Sequence, residues 1–165
     1  DSSVFPSAFI ALQQAIIRFK AQDRTSHVLA GNPLWHLAPK EPYTPDGGRV
    51  WRRGRRRIWE VPVTVVPGLN LPFYGTFLLW AGMGYFRAAY AMVSRRAKSL
   101  VLQYHPMEAM TLGQEGIDPR LAMLPNITKP VRDKETFITA CLRAVSEHFT
   151  LQPGREYLEA LGCLT

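Results

Sequence analysis

With 165 residues, 47% of them hydrophobic and 20% charged, the chain has the apolar content for one ordinary core, which excludes an intrinsically disordered protein. The formal net charge is +7, but six arginines crowd into Arg49–Arg57, and without them the chain would carry +1. The excess is local, which argues against a surface built throughout for nucleic acid. Two cysteines, Cys141 and Cys163, lack metal-ligand spacing and give no sign of a disulfide-stapled scaffold. They read as reduced thiols, with a disulfide between them as the alternative.

The chain opens Asp1-Ser2-Ser3-Val4-Phe5-Pro6 without an initiator methionine or a signal-peptide pattern, so further residues are expected upstream of Asp1. Pro6 and the apolar positions Phe9, Leu12, Ile16 and Phe19 predict a first helix. Residues 31–48 are rich in Pro, Gly, Asn and Asp and read as loop. Ile58–Val66 is β-branched and strand-like, although Pro62 removes one ladder donor, and Pro67-Gly68 closes it.

The most apolar stretch, Leu71–Val93, contains Gly75, Gly82, Gly84 and Arg87, which argues against a membrane span. It reads as a loop followed by a helix from Met83 with Phe86, Tyr90 and Val93 on one face; an interfacial membrane contact at Leu71–Leu79 is the lesser alternative. Leu100–Tyr104 predicts a buried strand ending at His105, with Pro106 stopping the ladder. A long connection, Met110–Pro130, leads to Asp133 as N-cap of a helix striped by Phe137, Ile138, Cys141, Leu142, Val145 and Phe149. A short helix, Gly154–Leu161, ends the chain. The alternation of strand and helix predicts an α/β protein with parallel strands and one domain.

Five segments in order carry a likeness: Asp1–Pro6, Pro42-Tyr43, Glu60-Val61-Pro62-Val63, Leu71-Pro72-Phe73 with Gly75, and Leu102–Glu108. In this order the chain resembles the polysaccharide deacetylases of the NodB-homology type. The resemblance implies that residues 1–165 are the C-terminal half of an irregular (β/α) barrel. It implies that a divalent metal, zinc or similar, is held by ligands upstream of Asp1, and that this portion alone is inactive. It also implies a carbohydrate substrate, lipid-linked or free, with His105 as the catalytic acid. Leu102 and Tyr104 would form the apolar wall for the acetyl methyl, Tyr104 departing from the leucine that the family carries there. Asp1 would lie near the substrate.

The chemistry fits that division. Hydrolysis of an N-acetyl group needs an acid to protonate the leaving amine, and imidazole titrates near neutrality. A carboxylate holding the other ring nitrogen would help; Asp1 and Glu108 are the candidates, with Asp1 preferred and Glu108 read as a loop carboxylate. His27 and His36 read as loop residues, and His148 as a residue at a helix C-terminus, where the dipole favours a cation. Glu60 is read as a partner of a nearby arginine. The sequon Asn126-Ile127-Thr128 comes with no other secretory sign, and the chain is expected in the cytoplasm.

The arginine cluster, with Trp51 and Trp59 beside it, reads as a solvated hairpin tipped by Gly54. Its functional reading is attraction of an anionic surface, either the phospholipid headgroups of a peripherally contacted membrane or the pyrophosphate of a lipid-linked saccharide; nucleic acid is a third option, with no specific nucleic acid expected. The alternative to a deacetylase is therefore a small basic α/β binding module for anionic surfaces.

Overall fold

The computed structural model describes residues 34, 37–114, 116–124 and 126–163; the expected first helix, Asp1, His27 and His36 lie outside them. The described residues form three α-helices and two 3-10 helices and contain no β-strand. Antiparallel pairing is confined to isolated bridges, Tyr43 with Glu60, Pro45 with Arg53 and Val65 with Pro72. The expected parallel α/β architecture and the partial (β/α) barrel of the NodB-homology type are therefore overturned.

The reason lies in where the backbone groups go. After Val66 the chain turns back through Gly68 and Asn70, both at positive φ (82° and 51°), and Val66 N–H reaches only Leu71 C=O at 2.9 Å. Pro62 supplies no donor. In Leu100–Tyr104, Val101 accepts from Thr64 N–H at 3.1 Å but donates to the Thr64 hydroxyl at 2.8 Å, and Gln103 C=O accepts from Gly75 N–H at 2.7 Å. Partners drawn from two segments, one of them a side chain, do not make a ladder. All five residues of that run are half-buried, not the doubly covered positions of a barrel strand.

Helix α1 spans Gly75–Arg96 and bends at Gly82 (φ 84°, ψ 178°), a conformation that glycine adopts without the Cβ penalty. The helix starts eight residues before Met83, so Leu71–Leu79 is only partly loop. Leu78 and Leu79 are buried, which takes them from any membrane contact, and no helix of the described residues is long and apolar enough to cross a membrane. Phe86, Ala89, Tyr90 and Val93 form the buried stripe, and Arg95 and Arg96 lie in the last turn, where the dipole favours cations.

Helix α2 spans Val131–Ser146 and is capped by Pro130, not by Asp133. Proline fixes φ, here at −55°, and its carbonyl takes the N–H groups of Asp133 (3.2 Å) and Lys134 (3.3 Å). Asp133 thus sits inside the first turn, at the positive end of the dipole. Helix α3 spans Gly154–Ala160 and is tied to the core region by Tyr157 Oη donating to Ser99 Oγ at 2.7 Å.

The core joins α1 to α2. Phe73, Phe86 and Tyr90 stack with centroids 5.4 to 6.4 Å apart, and Val66, Leu78, Val93, Cys141 and Val145 close around them. Tyr90 Oη donates to Ala144 C=O at 2.8 Å, so the hydroxyl entering this core is paired. Cys141 and Cys163 are free thiols, and burial pushes Cys141 up to about 12.

Gly75 is fixed by space: a Cβ there would stand 2.1 Å from the Tyr104 ring and 2.9 Å from Gln103 O. Gly75→Ala is expected to cost about 1–3 kcal/mol by overpacking, read as a lower denaturation midpoint; an unchanged midpoint would refute the close contact. A second expectation concerns alkali. Burial raises the Tyr74 and Tyr85 phenols to about 12, and raises Tyr104 further, whereas an unfolded chain ionises near 10. The folded state therefore binds more protons in that interval, and stability falls as pH climbs from about 10 towards 12. Denaturant midpoints measured across that range, flat to the end, would contradict it.

Candidate functional site

His105 is placed by a 3-10 helix, Pro106–Ala109, of which it is the N-cap. Pro106 at the first helical position loses no hydrogen bond there, because that N–H has no partner in a helix anyway. Two turn-closing bonds define the segment: Glu108 N–H to His105 C=O at 3.0 Å and Met110 N–H to Met107 C=O at 3.2 Å. The Glu108 carboxylate folds back and accepts the His105 backbone N–H through Oε2, as in the carboxylate half of a capping box. The sequence placed His105 at a strand tip; the proline that would stop a strand starts a helix instead.

The second partner comes from α1. The Thr76 hydroxyl donates its one hydrogen to Glu108 Oε1 and lies 3.0 Å from His105 Nδ1. With that hydrogen used, the hydroxyl accepts from Nδ1–H, which assigns the neutral ring to the Nδ1–H tautomer and leaves Nε2 as its free lone pair. His105 Nδ1 stands 3.8 Å from Glu108 Oε1. The two groups face opposite ways: the Glu108 side chain is 3% exposed, the His105 side chain 41%.

Burying a carboxylate needs compensation, and α2 supplies it. Lys134 is completely buried and its ammonium donates to Met107 C=O at 3.4 Å and to Met110 C=O, the last carbonyls of the short helix. Desolvation lowers Lys134 from the usual lysine value, while the Glu108 charge works against that fall. Tyr74 senses the same charge: burial first, and Glu108 second, raise its phenol.

The long connection before α2 buttresses the start of α1. Asn126, at φ 65°, donates from Nδ2 to Thr76 C=O at 2.8 Å, and Lys129 Nζ donates to Leu79 C=O. Asn126 Oδ1 is buried with no partner among the described residues. A glycan on Asn126 would break the bond to Thr76, so the sequon conflicts with this packing.

Of the site residues read from the sequence, His105 lies in this cluster, while Tyr104 and Leu102 lie behind it. The Tyr104 ring presses on Gly75 and its hydroxyl is buried near the Cys141 thiol; Leu102 packs against the core cluster. Asp1 lies outside the described residues, and Glu108 is the carboxylate that serves the imidazole, a correction of its reading as a loop group. Thr76 and Lys134 went unread, and Asn126 was read only as part of its sequon. Thr76 stood out only as a hydroxyl in an apolar run, and Lys134 as a charge on the apolar stripe of α2.

His148 lies apart, past the end of α2, with Nδ1 3.2 Å from Tyr90 Oη. It lines a shallow groove of about 440 Å³ between α1 and α2 with Arg87, Arg95 and Glu147. Its mixed charges select no ligand of one sign.

Lys134→Met removes the charge and both carbonyl contacts. We expect a loss of about 2–3 kcal/mol in denaturation, because hydrogen bonds from charged groups carry the larger values and Glu108 then loses its nearest buried counter-charge. Stability equal to the parent would show that the lysine does not hold the short helix.

Among the described residues no group of three or more His, Cys, Asp or Glu could hold a metal ion. Compared with known proteins, the chain matches no family model, no curated protein and no solved structure.

Proposed function

We propose that the chain carries out the proton transfers of a carbohydrate N-deacetylase, with His105 as the working group and an N-acetylated amino sugar or polysaccharide as substrate. The observation that carries the reading is the half-exposed imidazole whose Nδ1 rests on the Thr76 hydroxyl, itself bonded to the buried Glu108. Such a group is oriented, and Nε2 is left without a bond to the chain.

The neutral ring takes a proton from water through Nε2 as the water oxygen attacks the acetyl carbon. The imidazolium so formed lies 3.8 Å from Glu108 Oε1. When the tetrahedral intermediate collapses, the C–N bond breaks and Nε2–H gives its proton to the leaving amine, so that acetate and free amine result. Each of these steps is assigned to a group of the chain itself.

Support for a ring-bearing substrate comes from Trp80, 60% exposed, one helical turn beyond Thr76 on the same face of α1. Helical side chains lean towards the N-terminus, which brings the indole over the turn that carries Thr76. Its ring is braced from below by Phe77, at 5.4 Å between centroids. An indole held this way offers a flat apolar shelf to a sugar face.

The test is acetate release from an N-acetylated chitooligosaccharide by the full-length protein, with and without added zinc. His105→Gln is expected to lower the rate by about 100- to 10,000-fold, and Thr76→Val by less, with loss of the Nδ1–H tautomer in nitrogen NMR. No acetate under either condition, or undiminished release by His105→Gln, would sink the reading.

A further inference from the structure

The arginine loop is a surface that the His105 reading leaves unused. Its frame is set by backbone bonds between its two limbs. Tyr43 and Glu60 exchange N–H to C=O bonds at 3.1 and 2.8 Å, Gly54 N–H reaches Thr44 C=O at 2.7 Å, and Asp46 N–H reaches Arg52 C=O at 2.9 Å. Side chains complete it. Thr44 Oγ1 donates to Gly54 C=O, and the buried Tyr43 spans the loop to donate to Val50 C=O, both at 2.7 Å. Asp46 Oδ1 accepts from Gly48 and Arg49 N–H at 3.0 Å each and turns the tip. Gly54 is not the tip, as its sequence position suggested. It lies against the opposite limb, where a Cβ would stand 2.3 Å from Asp46 Cα.

All six arginines of this frame, Arg49, Arg52, Arg53, Arg55, Arg56 and Arg57, are exposed. Among the described residues none of them takes part in an ion pair. Arg56 alone has a side-chain bond, to Gly47 C=O. Directly after Arg57 stand Ile58, 54% exposed, and Trp59, 36% exposed. What sets this loop apart is the combination: a run of exposed arginines followed directly by an aliphatic side chain and an indole that are exposed side by side.

We infer that this loop docks on an anionic lipid surface, with the arginines against the headgroups and Ile58 and Trp59 at the acyl boundary. Clusters of four to eight basic residues recognise such leaflets by charge, and indole rings favour the interface. Arginine stems lie along apolar surface while their heads stay wet, which suits both halves of the contact. Nucleic acid would also attract the charge and could stack on Trp59, but an aliphatic Ile58 has no ring to stack. The apolar pair is what favours lipid. Because the frame is already closed by hydrogen bonds, little ordering remains to oppose binding.

The test is sedimentation of the whole protein with phosphatidylcholine vesicles, with and without phosphatidylserine. Binding is expected only with the anionic lipid, falling as salt rises. Replacing three charges (Arg52→Gln, Arg53→Gln, Arg55→Gln) should weaken it about a hundredfold, from roughly fivefold per arginine. Ile58→Ser keeps every charge and should still weaken binding several-fold, and Gly54→Ala should do so by breaking the frame. Equal binding to neutral vesicles, no binding, or an Ile58→Ser variant that binds like the parent would overturn the inference. So would displacement from vesicles by single-stranded RNA with tighter binding to the RNA itself.

Discussion

A carboxylate buried beneath an exposed imidazole organises this molecule. Glu108 is 3% exposed, and a group of that kind stays charged in an interior only if donors and a counter-charge meet it. It draws those donors from different places: the Thr76 hydroxyl from α1 and the His105 N–H from its own short helix. Lys134, from α2, adds its charge and bonds to the carbonyls that follow. Three elements are thus tied at one point by directional bonds, while the aromatic stack of Phe73, Phe86 and Tyr90 joins α1 to α2 further along by contact area. The hydrophobic cluster supplies adhesion; the polar one fixes register, because hydrogen bonds fail steeply with angle and dispersion does not.

Without a sheet among the described residues, the extended segments satisfy their backbones by other means. Side chains do much of it: Thr64 takes the Val101 N–H, Thr111 Oγ1 donates to Ile127 and Lys129 carbonyls, Asn126 reaches Thr76 C=O and Tyr43 reaches Val50 C=O. Such side-chain bonds, most of them between segments distant in sequence, take the place of ladders where prolines interrupt the donors. They also explain why the long connection between residues 110 and 130 is a wall of the site and not a tether. Ile127 is fully buried there, between groups that hold the start of α1.

The helices were the legible part of the sequence. The stripe Phe86, Tyr90, Val93 and the stripe Phe137, Cys141, Val145 are periodic at 3.6, and such a pattern depends only on residues near in sequence. The first turns of α1 were hidden by Gly75 and Gly82, which lower helix propensity but are placed there by a crowded ring and a bend. The strand readings failed for a deeper reason. A β-branched run records a preference of side chains for a pleated surface, whereas a strand exists only beside another, and that partner is non-local. His105 was read as the polar end of a strand, and the structure makes it the N-cap of a 3-10 helix. The resemblance to deacetylases carried a barrel that the described residues do not form, while the polar contacts of His105 come from Thr76 and Glu108, residues to which that resemblance gave no role or only a minor one.

The precision of that site traces back to a pair of neighbours on each side. Gln103, Tyr104 and His105 lie along Gly75 and Thr76: Gly75 N–H donates to Gln103 C=O at 2.7 Å, the Tyr104 ring fills the space a Cβ would need on Gly75, and the next residue of each segment makes the Thr76–His105 contact at 3.0 Å. Consecutive residues on one segment are therefore seated on consecutive residues of the other. Threonine suits the second seat because its branched Cβ restricts χ1, so its hydroxyl is aimed by the helix backbone and does not search for its partners. A single hydroxyl hydrogen then sets the order of the relay. Given to the carboxylate, it obliges the imidazole to donate at Nδ1, and Nε2 is the nitrogen left without a bond to the chain. The orientation of the ring therefore depends on the glycine next to Thr76, whose missing Cβ leaves room for the Tyr104 ring.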